Sequence, residues 1–245
     1  MRRSAVEGVG RYLAKVGQWA IFGQKWAKVD EYTDCPSLRH NQATLEPHTT
    51  KKRRDMEATE KIVVGNRSWL EVVYLLLTAG PDDLGIEWEQ RFVMGHPRPR
   101  TEAFFGVNSR QDAYTRKNKL RIQEPTPEIA AFVECARELW KGDYSSVLAN
   151  QYDGKNSSIA AHADDEAEID QSYPVVSLSI GGTRTFRIRD KNTKAILLDF
   201  PLQDGMMVAM CGEFQDELTH EITKVGKRAP DPRVRVSFTT RVYYL

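Results

Sequence analysis

The stretch that decides the fold is Val175-Val-Ser-Leu-Ser-Ile-Gly-Gly-Thr-Arg-Thr-Phe-Arg-Ile-Arg189. It holds two short runs rich in β-branched and aromatic residues, Val175 to Ile180 and Thr183 to Arg189, meeting at Gly181-Gly182. A glycine pair between such runs is a strong turn signal between neighbouring strands. Further runs follow the same pattern: Ser146 to Gln151 and Ser158 to His162 upstream, then Ile196 to Phe200, Met206 to Met210 and Val234 to Tyr244 downstream, with Asp204-Gly205 as another turn. Upstream of Gly142 the period changes. Thr126 caps a helix with Pro127 in its first turn, and Ile129, Phe132, Val133, Ala136, Leu139 and Trp140 form one apolar stripe. An earlier helix is expected after Lys61-Ile-Val-Val64, where Ser68 and Glu71 have the spacing of a capping box. Helices first and many antiparallel strands after predict an α+β chain. Its strands close into a jelly roll, the double-stranded β-helix, with N-terminal helices in support.

Length and composition agree with one such domain plus an extension. The chain has 245 residues, 40% hydrophobic and 28% charged, as a globular protein does. A formal charge of +1 leaves no bulk electrostatic demand for nucleic acid or an anionic membrane. Cys35, Cys135 and Cys211 are odd in number and lack Cys-x-x-Cys spacing, which argues against a disulfide framework or zinc ribbon and for a reducing, intracellular compartment. The basic N-terminus has no unbroken apolar run behind it, and Val72 to Leu77 is too short to span a bilayer, so a soluble, monomeric protein without membrane attachment is expected.

Residues 1–60 read as the extension and 61–245 as the domain. Ala5, Val6, Val9, Leu13, Val16 and Ala20 recur at helical spacing, and a polar, patternless linker follows from about Asp30. Its run Lys51-Lys-Arg-Arg54 suits a nuclear address, a phosphate contact or a solvated surface equally, so nuclear and cytoplasmic locations both stay open.

Within the strand region lies His162-Ala-Asp164. If the strand starting at Ile159 continues, His162 and Asp164 point to one face. Two imidazoles and one carboxylate hold one face of an iron(II) ion, and His220 downstream is the candidate for the second imidazole. At the end, Arg235, Ser237, Thr239 and Arg241 share one strand face and Val236, Phe238, Thr240 and Val242 the other. Buried guanidinium needs an anion, so that face either lines a polar pocket or lies exposed. Asn150 and Tyr152 put two more hydrogen-bonding groups on one face.

Together, NQYDGKNSSIAAHADDE (150–166), PVVSLSIGGTRTFRIRD (174–190), LQDGMMVAMCGEFQDELTHEITK (202–224) and RVRVSFTTR (233–241) resemble the AlkB family of iron(II)- and 2-oxoglutarate-dependent dioxygenases. The resemblance covers about Pro99 to Tyr243. It implies that His162, Asp164 and His220 ligate iron(II), with 2-oxoglutarate as cosubstrate and O2 as oxidant. Arg235, helped by Tyr152, would pair with the distal carboxylate; Asn150 and Arg241 would lie near the carboxylate at the metal end. Many relatives carry asparagine where this chain has Ser237. The implied reaction converts 2-oxoglutarate to succinate and CO2 and hydroxylates an N-methyl group, which leaves as formaldehyde.

The implied substrate is alkylated DNA or RNA carrying a base such as N1-methyladenine or N3-methylcytosine. Glu166 would face the same pocket and accept from an exocyclic amino group, and Phe104, Phe105 and Tyr114 would stack on a flipped base. Arg91 to Pro125 adds eight basic residues against three acidic, a footprint for phosphate. Two alternatives stand beside this reading: a dioxygenase of the same fold acting on a protein or small molecule, and a non-catalytic jelly-roll binding module.

Overall fold

The computed structural model describes residues 18–22, 25–29, 60–76, 79–106, 121–228, 230 and 232–244. Among them the strands form two sheets. The larger has β1 (Gln18–Phe22), β2 (Lys25–Val29), β3 (Glu60–Val63), β4 (Ser68–Leu76), β5 (Glu89–Val93), β6 (His96–Gly106), β7 (Ile122–Gln123), β8 (Ser146–Tyr152), β10 (Val175–Gly181), β13 (Met206–Gly212) and β15 (Arg235–Thr240). Its order is β2-β1-β4-β13-β10-β15-β8-β6-β5, with β3 on β4 and β7 on β6. The smaller runs β12 (Ile196–Leu202), β11 (Arg184–Asp190), β14 (Leu218–Ile222), β9 (Ile159–His162). From β8 onward the chain passes back and forth between the two sheets, β11 and β12 alone following one another in the smaller one, as in a double-stranded β-helix. None of the described helices is long and apolar enough to cross a membrane.

Alternation along the strands builds two apolar layers. Val236 and Phe238 of β15, Ala149 of β8, Leu178 of β10 and Met207 of β13 face the helix α1 (Pro127–Trp140). Thr126 caps that helix by accepting from Ile129 N, and Phe132 packs on Phe238 with ring centroids 6.1 Å apart. On the opposite face Tyr152, Val175, Val208 and Met210 meet Phe186, Ile188, Leu202 and Ile222 of the small sheet. Each such side chain contributes about 1.5–3 kcal/mol relative to an exposed one.

The helix expected at Ser68 is instead the strand β4. The Ser-x-x-Glu pair is tertiary: Ser68 Oγ donates to Glu217 at 2.5 Å, and Glu71 accepts from Trp69 Nε1 at 3.0 Å and Trp140 Nε1 at 2.8 Å. Both faces of β4 are covered, with Leu70 and Val72 toward the small sheet and Val73 and Leu75 toward the helix layer. A strand buried on both faces reads as a continuous apolar run, so its period of two is hidden. Of the amphipathic segment ending at Ala20, the described part is also strand: β1 pairs with β2 and runs parallel to β4. The supporting helices therefore reduce to α1 and the single turn α2 (Phe214–Glu217) among the described residues. The run 51–54 lies outside them.

The turn between β10 and β11 is closed tightly. Gly181 has φ +87°, and a Cβ on Gly182 would stand 2.4 Å from Arg233 O. Gly182 N donates to Val234 O at 2.7 Å, so the glycine pair is the corner at which the chain passes from β10 in the larger sheet to β11 in the smaller, and it is tied there to the start of β15.

Candidate active site

Between the two sheets lies a cavity of about 980 Å3. Strand pairing explains why the two histidines meet: His162 of β9 and His220 of β14 are direct cross-strand partners, and their ring centroids are 4.3 Å apart. The strand β9 ends at His162, so the expected continuation through Asp164 to Glu166 does not occur. Asp164 is held instead by two glutamines, its N–H donating to Gln215 Oε1 at 2.9 Å and its carbonyl accepting from Gln171 Nε2 at 2.7 Å. The outcome is the same convergence. Asp164 Oδ1 is 3.9 Å from His162 Nε2 and Oδ2 is 3.9 Å from His220 Nε2, and one ligand atom from each residue falls within 4.8 Å of the others.

The electrostatics suit a divalent cation. Burial raises the Asp164 carboxyl, but Arg241, His220 and His162 outweigh it and hold the group at about 2. Burial, then the neighbouring His162, pushes His220 down to about 3, so its imidazole is neutral. His162 Nδ1 lies 2.9 Å from Ala160 O, and because a carbonyl only accepts, Nδ1 is the donor in this contact and Nε2 is the nitrogen turned toward Asp164. Asp164 Oδ2 is buried with no hydrogen-bond partner. That oxygen lies toward His220 Nε2, and a donor set of two imidazole nitrogens and one carboxylate fits iron(II).

Arg235, Ser237, Thr239 and Arg241 all line the cavity, while Val236, Phe238 and Val242 join the core, which resolves the sequence alternative in favour of a polar pocket. Arg235 is 1% exposed. Its Nε donates to Ser179 Oγ at 2.8 Å, its guanidinium sits 5.1 Å from the Tyr152 ring centre, and Nη1 has no partner. Arg241 donates to Asp164 Oδ1 at 2.8 Å, which places it at the metal end. Asn150 Oδ1 accepts from Arg100 Nε at 2.7 Å, and Arg100 is anchored in turn by the buried Glu102. Phe186 and Phe214 wall His220, with ring centroids 5.4 and 6.1 Å away.

The substrate candidates fare less evenly. Glu166 is exposed and lines the cavity. Phe104 and Phe105 do not offer a face to a base: both are 1% exposed, Phe104 packing on Leu148 and Phe105 in the helix layer. A ring already packed on its neighbours has no free surface for stacking. Tyr114 lies outside the described residues, as do Arg110, Arg116, Lys117 and Lys119. Of the other basic residues in that segment, Arg98 and Arg100 pair with Glu102, Arg91 with Glu89 and Arg121 with Glu87. Gln171, Gln215, Ser179 and Arg100 carried no sequence signal, because their roles arise from contacts across the fold. His220 had one: Leu218, His220 and Ile222 alternate with Thr219 and Glu221, a strand pattern.

The sequence model of the 2OG-Fe(II) oxygenase superfamily matches residues 33–241. The chain is 31% identical over 169 residues to the alpha-ketoglutarate-dependent dioxygenase alkB homolog 3 of Homo sapiens, covering 63% of this chain and 57% of that protein. The Mus musculus counterpart is 27% identical over the same shares. DNA oxidative demethylase ALKBH2 of Homo sapiens is 28% identical over 102 residues, 39% of each chain. The chain thus spans just over half the length of the alkB homolog 3 proteins it matches.

Proposed function

Because the chain belongs to the 2OG-Fe(II) oxygenase superfamily, we propose that it is an AlkB-like dioxygenase that removes N-methyl groups from bases of DNA or RNA. The observation that carries this reading is the convergence of His162, Asp164 and His220 in one cavity with Arg235 and Arg241. His162, Asp164 and His220 would hold the iron. When bound, iron(II) with 2-oxoglutarate and O2 supplies the oxidation, giving succinate, CO2 and a hydroxymethyl group that leaves as formaldehyde.

The protein's own residues bind and orient. Arg235, supported by Ser179 and Tyr152, receives the far carboxylate of 2-oxoglutarate, where a guanidinium fork matches two oxygens. Arg100 holds Asn150 by its carbonyl oxygen, leaving the Asn150 amide N–H groups for the cosubstrate. Arg241 keeps Asp164 anionic and stands beside the carboxylate at the metal end. Phe186, Phe214 and Met210 exclude water from the His220 side.

Support for a nucleic-acid substrate comes from the relatives named for dioxygenase and DNA demethylase activity. Glu166 at the cavity is the group we assign to an exocyclic amino group of the base.

The test is a panel of single- and double-stranded DNA and RNA carrying N1-methyladenine or N3-methylcytosine, incubated with protein, iron(II), ascorbate and 2-oxoglutarate and read by mass spectrometry. Loss of the methyl group with formaldehyde and succinate in equal amounts is expected. If every oligonucleotide is unchanged while a peptide or small amine stimulates succinate formation, the substrate assignment fails.

A further inference from the structure

Asp164 lies outside every strand, because β9 ends at His162, so no ladder of hydrogen bonds fixes the one carboxylate of the triad. Its backbone N–H donates to Gln215 Oε1 at 2.9 Å, and Gln215 is 4% exposed. A backbone N–H only donates, so the amide oxygen faces Asp164 and Nε2 is left with the Met210 sulfur at 3.7 Å. A thioether is a weak acceptor, and a buried amide donor that meets only sulfur costs more than an apolar side chain of the same size. The Gln215 side chain is therefore placed for Asp164 rather than for packing.

The turn that carries Gln215 is itself anchored. At its start Phe214 walls His220, and at its end Glu217 accepts from Arg67 N at 3.1 Å and from Ser68 Oγ at 2.5 Å. From the other side comes Lys191, which follows Asp190 in the turn between β11 and β12. Its backbone N–H donates to Glu217 O at 2.9 Å. Its Nζ donates both to Gln215 O and to Asp165 Oδ2, each at 2.8 Å. Lys191 thus joins the residue that holds Asp164 to the residue that follows it, closing a ring of hydrogen bonds around the ligand.

We propose that Gln215 and Lys191 are positioning residues for the carboxylate ligand: Gln215 fixes the Asp164 backbone, and Lys191 locks Gln215 and Asp165 together. The inference rests on His162, Asp164 and His220 binding a divalent cation. For Lys191, charge and position act in opposite directions. Removing an ammonium near the site favours binding of a cation, whereas opening the ring weakens it.

The experiment titrates cobalt(II), whose visible absorption reports ligand number and geometry, into the full metal-free chain under nitrogen. The melting temperature of the metal-free protein is recorded beside it. Gln215→Met is expected to weaken cobalt(II) about tenfold, the scale on which the loss of a partner behind a metal ligand acts, and to shift the visible bands. Lys191→Met is expected to weaken it about threefold, the scale of one partly exposed ion pair, with the metal-free melting temperature within about 2 °C of wild type. Should Gln215→Met fold poorly, Lys191→Met carries the test, because its side chain is 29% exposed and lies outside the core. Unchanged affinity and bands in Gln215→Met, or unchanged or tighter binding in Lys191→Met, overturns the proposal. Wild-type protein that takes up no cobalt(II) overturns the metal reading beneath it instead.

Discussion

Asp164→Ala is expected to lower succinate and formaldehyde formation by roughly a thousandfold or more, the scale seen when a member of a group that acts as a unit is removed. Asp164 is the one anion among the three ligands, and it is 4% exposed. Removing it takes away a third of the protein's hold on the cation and the charge that balances it. The same change leaves Arg241 without its partner. Deleting one half of a buried pair costs about 3–5 kcal/mol, so a lower melting temperature should accompany the loss. Asp164→Asn separates the effects: it keeps an acceptor for Arg241 and should regain most of the stability while staying inactive. Activity of Asp164→Ala within tenfold of wild type would remove Asp164 from the metal site.

Arg235→Met is expected to raise KM for 2-oxoglutarate about 100-fold with a smaller fall in kcat. Truncating one partner of a buried, hydrogen-bonded charge pair costs about 2–5 kcal/mol, and about 3 kcal/mol corresponds to 100-fold. The effect belongs in KM because Arg235 sits at the end of the cavity away from the triad, at the Tyr152 and Ser179 end. Methionine fills similar volume and removes the buried charge, so folding is not the variable. Steady-state kinetics with 2-oxoglutarate varied at saturating oligonucleotide reads the split. An unchanged KM would place the far carboxylate elsewhere.

Much of this site was legible in the sequence because its strands carry two different faces. In β15, Arg235, Ser237 and Thr239 turn to a polar cavity while Val236 and Phe238 turn to the core, and that contrast gives a clear period of two. The turn at Gly181-Gly182 was legible because it requires glycine twice over, although the strands it joins lie in different sheets. Where both faces are apolar, as in β4, the period vanishes and a chance Ser-x-x-Glu spacing imitates a helix start. Strand β6 was hidden for another reason. Its first half contains Pro97 and Pro99, and pairing with β8 begins only at Thr101.

The residues that hold the site in place were illegible in principle. Gln215, Arg100 and Ser179 act on Asp164, Asn150 and Arg235 across separations of 51, 50 and 56 residues, and no local pattern marks them. Phe104 shows the converse. Its position beside the cavity strands invited a stacking role, but packing against Leu148 consumes its surface.

Central to all of this is that one cavity holds iron(II) and 2-oxoglutarate together through His162, Asp164, His220 and Arg235. Anaerobic titration of the wild-type chain with iron(II) and then 2-oxoglutarate tests it most directly, by visible absorption. A metal-to-ligand charge-transfer band that needs both additions, and is absent in Asp164→Ala, is the expected result. Wild-type protein that takes up iron(II) and 2-oxoglutarate without developing that band would contradict it.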